Sequence, residues 1–220
     1  MIKIDRSFPE PISLAEEKRK NGTYSTEEVN RRLKEDFHNK CYICELGNLQ
    51  DPEIEHLLPH KNGKFPERKF DWENLFWACG RCNGIKAATM YDDGILDCCK
   101  QDPEDFFVQW YENDQVQISI RKNGDDPVIQ RTHHLLNEVY NKTNTGMRII
   151  TSQQRIDELC GEMSAFLKSL EEYINDRESK RQQRTIRAFL SRRSPFAAFK
   201  REYIRSHQHE YPELFDFICL

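Results

Sequence analysis

The sequence lacks any long hydrophobic segment. None of its apolar runs approaches the ~20 residues that a membrane-spanning helix needs. Residues 1–20 contain no hydrophobic stretch of the kind that marks a secretory signal. These two absences predict a cytoplasmic protein without a membrane partner. Structural disulfides are rare in a reducing compartment, so those of the eight cysteines of this 220-residue chain that are clustered are expected to hold a metal instead.

Apolar residues are also scarce overall. Hydrophobic residues make up 37% of the chain and charged residues 32%, against about 45–50% and 25% in typical globular proteins. Aromatic residues, at 11%, argue against disorder because they supply the contacts that offset ordering entropy. The composition predicts a modest core, with a remainder that is extended or covered by a partner.

Positive charge is scarce except in one segment. The chain has a net charge of −4, which excludes a protein that is basic throughout. Residues 177–205 nevertheless carry ten Lys or Arg against two Glu. Attraction to phosphate groups is therefore expected to be local.

Hydrophobic periodicity predicts an α+β fold. Two short apolar runs predict one hairpin, from residues 54–58 and 75–78, and apolar alternation predicts a second from residues 106–110 and 116–120. The long polar loop of the first hairpin, residues 59–73, is expected to be exposed.

Helices are predicted on both sides of the hairpins. Ser25 and Glu28 have the spacing of a capping box at the start of a helix that leads to Cys41. After the second hairpin, apolar residues recur at helical spacing from 156 to 174, in a stripe that includes Leu167 and Ile174. We therefore divide the chain into residues 1–40, 41–100 and 101–220, the last mainly helical.

Two Cys-x-x-Cys pairs, Cys41/Cys44 and Cys79/Cys82, are separated by 34 residues. Four thiolates satisfy tetrahedral Zn²⁺ and leave no open coordination position, so this pattern predicts a structural zinc site. The alternative is that one pair is coincidental or redox-active. The other four cysteines are interpreted as buried or incidental thiols: Cys98, Cys99, Cys160 and Cys219.

Polar residues lie between and just after the two cysteine pairs in a fixed order. Glu55 and His56 are followed by Asn74, and Asn83 and Lys86 follow Cys82. This pattern resembles the HNH endonuclease family, whose ββα-metal finger is often held by a four-cysteine zinc site. The resemblance covers about a fifth of the chain.

The resemblance implies a role for each of these residues. His56 would deprotonate a water, which suits an imidazole with a pKa near ~6.5. Asn74 would fix the hairpin loop and so orient His56. Glu55 and Asn83 would hold a catalytic divalent cation, Mg²⁺ or another, and Lys86 would contact phosphate.

The roles of other basic residues remain open. His60 is interpreted either as a second metal ligand or phosphate contact, or as an exposed loop histidine, and the preceding Pro59 favours the loop interpretation. Four loop residues are placed to hold DNA near His56: Lys61, Lys64, Arg68 and Lys69. Arg184 and Arg187 lie on one predicted helix face, suited to a duplex backbone, to solvent or to an acidic protein.

These features predict a zinc-stapled ββα-metal nuclease core with a second hairpin and a mainly helical C-terminal extension. The resemblance implies a metal-dependent endonuclease that hydrolyses DNA. A looser resemblance extends to the HNH subunits of Septu-type and retron-linked anti-phage defence systems, and implies that residues 101–220 dock on an ATPase partner. Two alternatives are a non-catalytic zinc-ribbon module that binds nucleic acid or protein, and a stand-alone restriction or toxin nuclease.

Overall fold

The computed structural model describes residues 1–141 and 146–219, with residues 146–151 described as backbone only. The strands are β1 (Pro52–His56), β2 (Leu75–Cys79), β3 (Phe107–Glu112) and β4 (Gln115–Ile120). The helices are α1 (Ile12–Lys20), α2 (Glu27–Asp36), α3 (Pro66–Lys69), α4 (Gly80–Lys86), α5 (Pro127–Asn141), α6 (Gly146–Asn175), α7 (Lys180–Leu190), α8 (Ala197–Ser206) and α9 (Pro212–Cys219). The expected mixture of helices and strands is confirmed.

The strands form two antiparallel sheets, each of two strands, in agreement with the two predicted hairpins. In the first sheet, His56 on β1 faces Leu75 on β2, and the whole of β2 is buried. Helix α4 follows β2 without a loop and packs on both strands. The resulting order of strand, strand and helix carries the residues of the predicted site.

The predicted start of α2 is wrong by one residue. Thr26, not Ser25, is the N-cap, because its hydroxyl accepts a hydrogen bond from the Val29 amide at 3.2 Å. The Glu28 carboxylate accepts from the Ser13 amide at 3.0 Å and so joins α2 to α1. Long-range packing has replaced the local capping box.

The predicted apolar stripe on α6 is too wide. Leu159, Met163, Phe166, Leu170 and Tyr173 are buried. Leu167 and Ile174 lie one position beyond this seam, and their side chains are 39% and 40% exposed. Although α6 is long, no helix in the described part of the chain is both long and apolar enough to cross a bilayer.

The C-terminal helices are joined to the first cysteine pair by buried charged groups. The Lys40 ammonium donates to the carbonyl oxygens of Arg192 and Ser194, at 2.5 and 2.9 Å. The Glu45 carboxylate accepts from the Ala198 amide at 3.3 Å, at the start of α8. Lys40 and Glu45 are 2% and 1% exposed, so the segment before α8 encloses this end of the site.

Candidate active site and metal centre

The four paired cysteines converge on one point. Their sulfur atoms all lie within 4.8 Å of one another, and those of Cys44 and Cys79 are 3.9 Å apart. Four sulfurs at ~2.3 Å from a tetrahedral Zn²⁺ would be about 3.8 Å apart. All four side chains are buried. The donor set and its spacing therefore fit a structural metal such as zinc.

Local backbone structure sets the position of each pair. Cys41 and Cys44 lie in a tight turn in which the Glu45 amide donates to the Cys41 carbonyl at 2.9 Å. The Tyr42 amide donates to the Trp77 carbonyl on β2 at 3.0 Å, which holds this turn against the sheet. The second pair spans the end of β2 and the first turn of α4.

A cation from the helical extension lies against the cysteine cluster. The Arg155 guanidinium on α6 is 3.7 Å from the Cys79 sulfur, and the side chain is 8% exposed. Although burial opposes its charge, the thiolates of Cys44, Cys79 and Cys82 raise the pKa of Arg155. A tetrathiolate zinc centre carries two net negative charges, so a buried cation beside it stabilises the charged site.

His56, the last residue of β1, is held by a backbone carbonyl. Its Nε2 atom lies 3.2 Å from the carbonyl oxygen of Lys69. Because a carbonyl only accepts, Nε2 carries the proton and Nδ1 the lone pair. The side chain is 8% exposed. Burial lowers the pKa of His56 to about 4, so the ring is neutral near pH 7.

Asn74 fixes the loop that supplies this carbonyl. Its Nδ2 group donates to the carbonyls of Leu58 and Arg68, each at 2.9 Å. Its Oδ1 atom accepts from the Leu58 amide at 2.8 Å. Arg68 directly precedes Lys69, so Asn74 sets the position of the oxygen that orients His56. This geometry has the orienting contacts that the resemblance implies for Asn74.

One face of α4 lies along one face of β1 and forms two polar pairs. Asn83 and Lys86 are three residues apart and share a helix face, while Glu53 and Glu55 share a strand face. The Lys86 ammonium is 2.6 Å from Oε1 of Glu55. The Asn83 Nδ2 group donates to Oε2 of Glu53, also at 2.6 Å.

Glu55 and Lys86 point inward. The second Glu55 oxygen accepts from the Tyr42 hydroxyl, and Lys86 also donates to the carbonyls of His56 and Leu57. Burial raises the pKa of Glu55, against the opposing effect of Lys86. Both side chains are 5% exposed or less. They tie the strand to the helix, which differs from the cation contact and the phosphate contact that the resemblance implied.

Glu53 is a site residue that the sequence interpretation missed. Its Oε1 atom lies where a side chain at Gly80 would begin, 2.8 Å from the ideal Cβ position. The alternation of β1 could have indicated it, because Glu53 is on the same strand face as Glu55. A cavity of about 570 Å³ is lined by Glu53, Asn83, Tyr24 and Lys69, among others.

Two aromatic rings surround His56. The Tyr24 ring meets it edge-on, with centroids 4.6 Å apart, and the His60 ring lies 4.9 Å away. His60 is half-buried, so the favoured interpretation of an exposed loop histidine does not describe its surroundings. Among the described residues, the cysteine cluster is the one group of three or more metal-ligating His, Cys, Asp or Glu side chains.

The predicted basic residues lie in two places, the loop between β1 and β2 and the surface of α7. Lys61 forms an ion pair with Asp92, and the Lys69 ammonium donates to the Gly22 carbonyl at 3.1 Å. Lys64 is exposed, and the half-buried Arg68 guanidinium lies 4.0 Å from the centre of the Phe65 ring.

The two predicted residues on α7 both lie at its surface. Arg184 and Arg187 are exposed, and the Arg187 guanidinium lies 5.4 Å from the centre of the Phe217 ring. The structure does not place them among the residues that line the cavity beside Glu53 and Asn83.

The sequence was also compared with family models and with curated proteins, and neither comparison gives a match.

Proposed function

We propose that this protein is a metal-dependent endonuclease of the HNH type that hydrolyses DNA phosphodiester bonds. One observation carries the proposal. A neutral histidine at the end of β1 is oriented by the Lys69 carbonyl, which Asn74 fixes in turn. A buried four-cysteine cluster holds the same hairpin at its other end. A zinc ribbon that only binds a partner has no need for an oriented imidazole.

His56 would act as the general base. Its Nδ1 lone pair accepts a proton from a water, while Nε2 keeps its own proton and donates it in a hydrogen bond to the Lys69 carbonyl throughout. An anionic phosphate near the ring favours the imidazolium form and so raises the low pKa of His56 toward the value that proton transfer needs. Asn74 keeps the ring in place during the transfer and does not itself react.

The two metals would have separate tasks. The cysteine cluster, once it holds zinc, stabilises the fold around the hairpin. A bound divalent cation such as Mg²⁺ supplies Lewis-acid charge at the phosphate. In this chain Asn83 lines the cavity beside Tyr24 and Lys69, so its amide oxygen is a candidate ligand.

The substrate surface would be the loop between β1 and β2. Lys64 and Arg68 flank the Phe65 ring and follow the segment that Asn74 anchors, so they are suited to phosphate contacts near His56. Lys61 and Lys69 would contribute after release from Asp92 and from the turn at Gly22. The basic face of α7, with Arg184 and Arg187, would be a second contact with DNA or with a protein.

The looser resemblance to defence nucleases suggests a cytoplasmic effector that acts with an ATPase. The exposed Leu167 and Ile174 on α6 give residues 101–220 an apolar surface for such a partner. Copurification of the chain with its native neighbours tests this. An ATPase in the complex supports the defence role, and a chain that purifies alone with full activity supports a stand-alone nuclease.

The nuclease proposal is tested with supercoiled DNA and Mg²⁺. His56→Ala is expected to abolish nicking while about one equivalent of zinc and the circular dichroism spectrum are retained. His209→Ala is the matched control, because His209 is exposed at the far end of the chain. Nicking by His56→Ala at the parent rate would overturn the assignment. DNA binding without cleavage by the parent would favour the zinc-ribbon module, which the inward-facing Glu55 and Lys86 also fit.

A further inference from the structure

We infer that Glu53, together with Asn83, holds the divalent cation of this site, and that Glu55 does not. The inference rests on the proposed function, because it names the carboxylate ligand of the same centre. It differs from the ligand that the HNH resemblance implies, the acidic residue directly before the histidine.

Glu53 and Asn83 already converge. The Asn83 amide and the Glu53 carboxylate are 2.6 Å apart, so one cation contacts both after the amide turns its oxygen toward it. Gly80 leaves open the space that the other Glu53 oxygen occupies, since a Cβ at position 80 would lie 2.8 Å from it. The carboxylate therefore lies directly against the first turn of α4, beside Gly80.

Among the described residues no cation pairs with Glu53, whereas the Lys86 ammonium pairs with Glu55. In the described residues Glu53 forms no ion pair, and its one hydrogen-bond donor is the neutral Asn83 amide. Both oxygens of Glu55 are occupied, one by the Lys86 ammonium and the other by the Tyr42 hydroxyl. A cation at Glu55 would have to displace a buried ammonium, which costs far more than binding at an exposed carboxylate.

The position of Glu53 also suits a hydrated cation. Mg²⁺ keeps several waters and takes only one or two protein oxygens, the rest coming from phosphate. Glu53 and Asn83 line the 570 Å³ cavity, which is large enough for those waters and a phosphate. Tyr24 and Lys69 line the same cavity, and both contact His56. His56 does not line the cavity itself, so these two residues are what connect the proposed cation site with the imidazole.

The test is a titration of the zinc-loaded full chain with Mn²⁺. Electron paramagnetic resonance measures the concentration of free Mn²⁺ at each step, and so gives the binding affinity. Glu53→Gln is expected to weaken Mn²⁺ binding on the order of tenfold or more, since ligand charge sets affinity at oxygen sites. Asp51→Asn is the matched control, because Asp51 is an exposed carboxylate two residues earlier. Glu55→Gln is expected to bind Mn²⁺ as the parent does.

Three results would overturn the inference. They are parental Mn²⁺ affinity in Glu53→Gln, loss of Mn²⁺ binding in a folded Glu55→Gln variant, and no Mn²⁺ binding by the parent. Because the readout is binding, it separates the two proposals. If Mn²⁺ binds through Glu53 but no DNA is cut, the cation site stands and the nuclease fails. If His56-dependent cleavage is seen and Glu53→Gln binds Mn²⁺ normally, the nuclease stands and the Glu53 assignment fails.

Discussion

The ring of Tyr24 meets the ring of His56 edge-on, with 4.6 Å between their centroids. Tyr24 lies in the turn between α1 and α2, well before the first cysteine pair. The same turn is held to the hairpin loop because the Lys69 ammonium donates to Asn21 and Gly22. An N-terminal segment therefore excludes water from the candidate base. Removal of the Tyr24 ring should change the pKa of His56.

Tyr24→Ala is expected to raise the pKa of His56 from about 4 toward its ordinary value of 6.5. The direction follows because burial is the main cause of the lowered pKa, and loss of the ring readmits water that solvates the imidazolium. The measurement is the titration of the His56 ring signals by nuclear magnetic resonance. Tyr24→Phe keeps the ring and should leave the pKa unchanged. An unaltered titration in Tyr24→Ala would show that the ring does not shield His56.

The lowered pKa of His56 predicts that acid weakens the fold. The unfolded chain protonates this histidine near pH 6.5, whereas the folded chain does so only near pH 4. Between these values the unfolded state binds more protons, so the free energy of unfolding falls as the pH falls. From pH 6.5 to 5 the loss is about 1.6 kcal/mol from this one group.

Urea unfolding of the parent and of His56→Gln at the two pH values measures this loss. The parent should lose about 1.6 kcal/mol more than the variant between pH 6.5 and 5. Equal losses would mean that His56 titrates normally in the folded protein.

The Glu55–Lys86 pair predicts a marked non-additivity. Lys86→Met leaves the Glu55 carboxylate buried without its cation and is expected to cost about 3–5 kcal/mol of unfolding free energy. Adding Glu55→Gln removes the orphaned charge, so the double variant should be more stable than Lys86→Met alone. Urea denaturation of the single and double variants measures the coupling. Lys180→Met, on the exposed face of α7, is the control, and a similarly small effect at Lys86 would contradict the structural role given to this ammonium.

Arg155 is predicted to strengthen the binding of zinc by the cysteine cluster. Arg155→Met removes the cation 3.7 Å from the Cys79 sulfur, and loss of such a supporting contact typically costs about 10–100-fold in metal affinity. Competition with a chromogenic zinc chelator measures the effect. Cys79→Ser should lose zinc and solubility together, whereas Cys219→Ser, at an exposed cysteine, should behave as the parent. Parental zinc affinity in Arg155→Met would show that α6 does not support the cluster.

Features set by neighbouring residues could be predicted from the sequence. Two apolar runs indicated the first hairpin, and alternating apolar residues indicated the second, because a strand with one buried face alternates. The spacing of the cysteines indicated their convergence. The contacts of Asn74 lie within one loop and so depend on nearby residues, and its orienting role stays a prediction.

Features set by distant contacts could not be predicted. Tyr24 covers His56, Arg155 reaches the cluster from α6, and Lys86 turns to Glu55, and each depends on how separate elements pack. No local spacing encodes those distances. The error at Ser25 has the same origin, because α1 offers Glu28 a partner that the local sequence does not show.

The burial of Lys40 and Glu45 has a consequence for engineering. The two charges pair with each other at 3.7 Å, and their further hydrogen-bond partners are backbone groups of the segment that enters α8, more than 140 residues further along the chain. A fragment cut at residues 41–100 would lack Lys40, would leave Glu45 without its buried partners and would remove Arg155 from the cysteine cluster. Residues 41–100 are therefore not expected to fold in isolation, and a chimera that contains them must also contain α6 and α8.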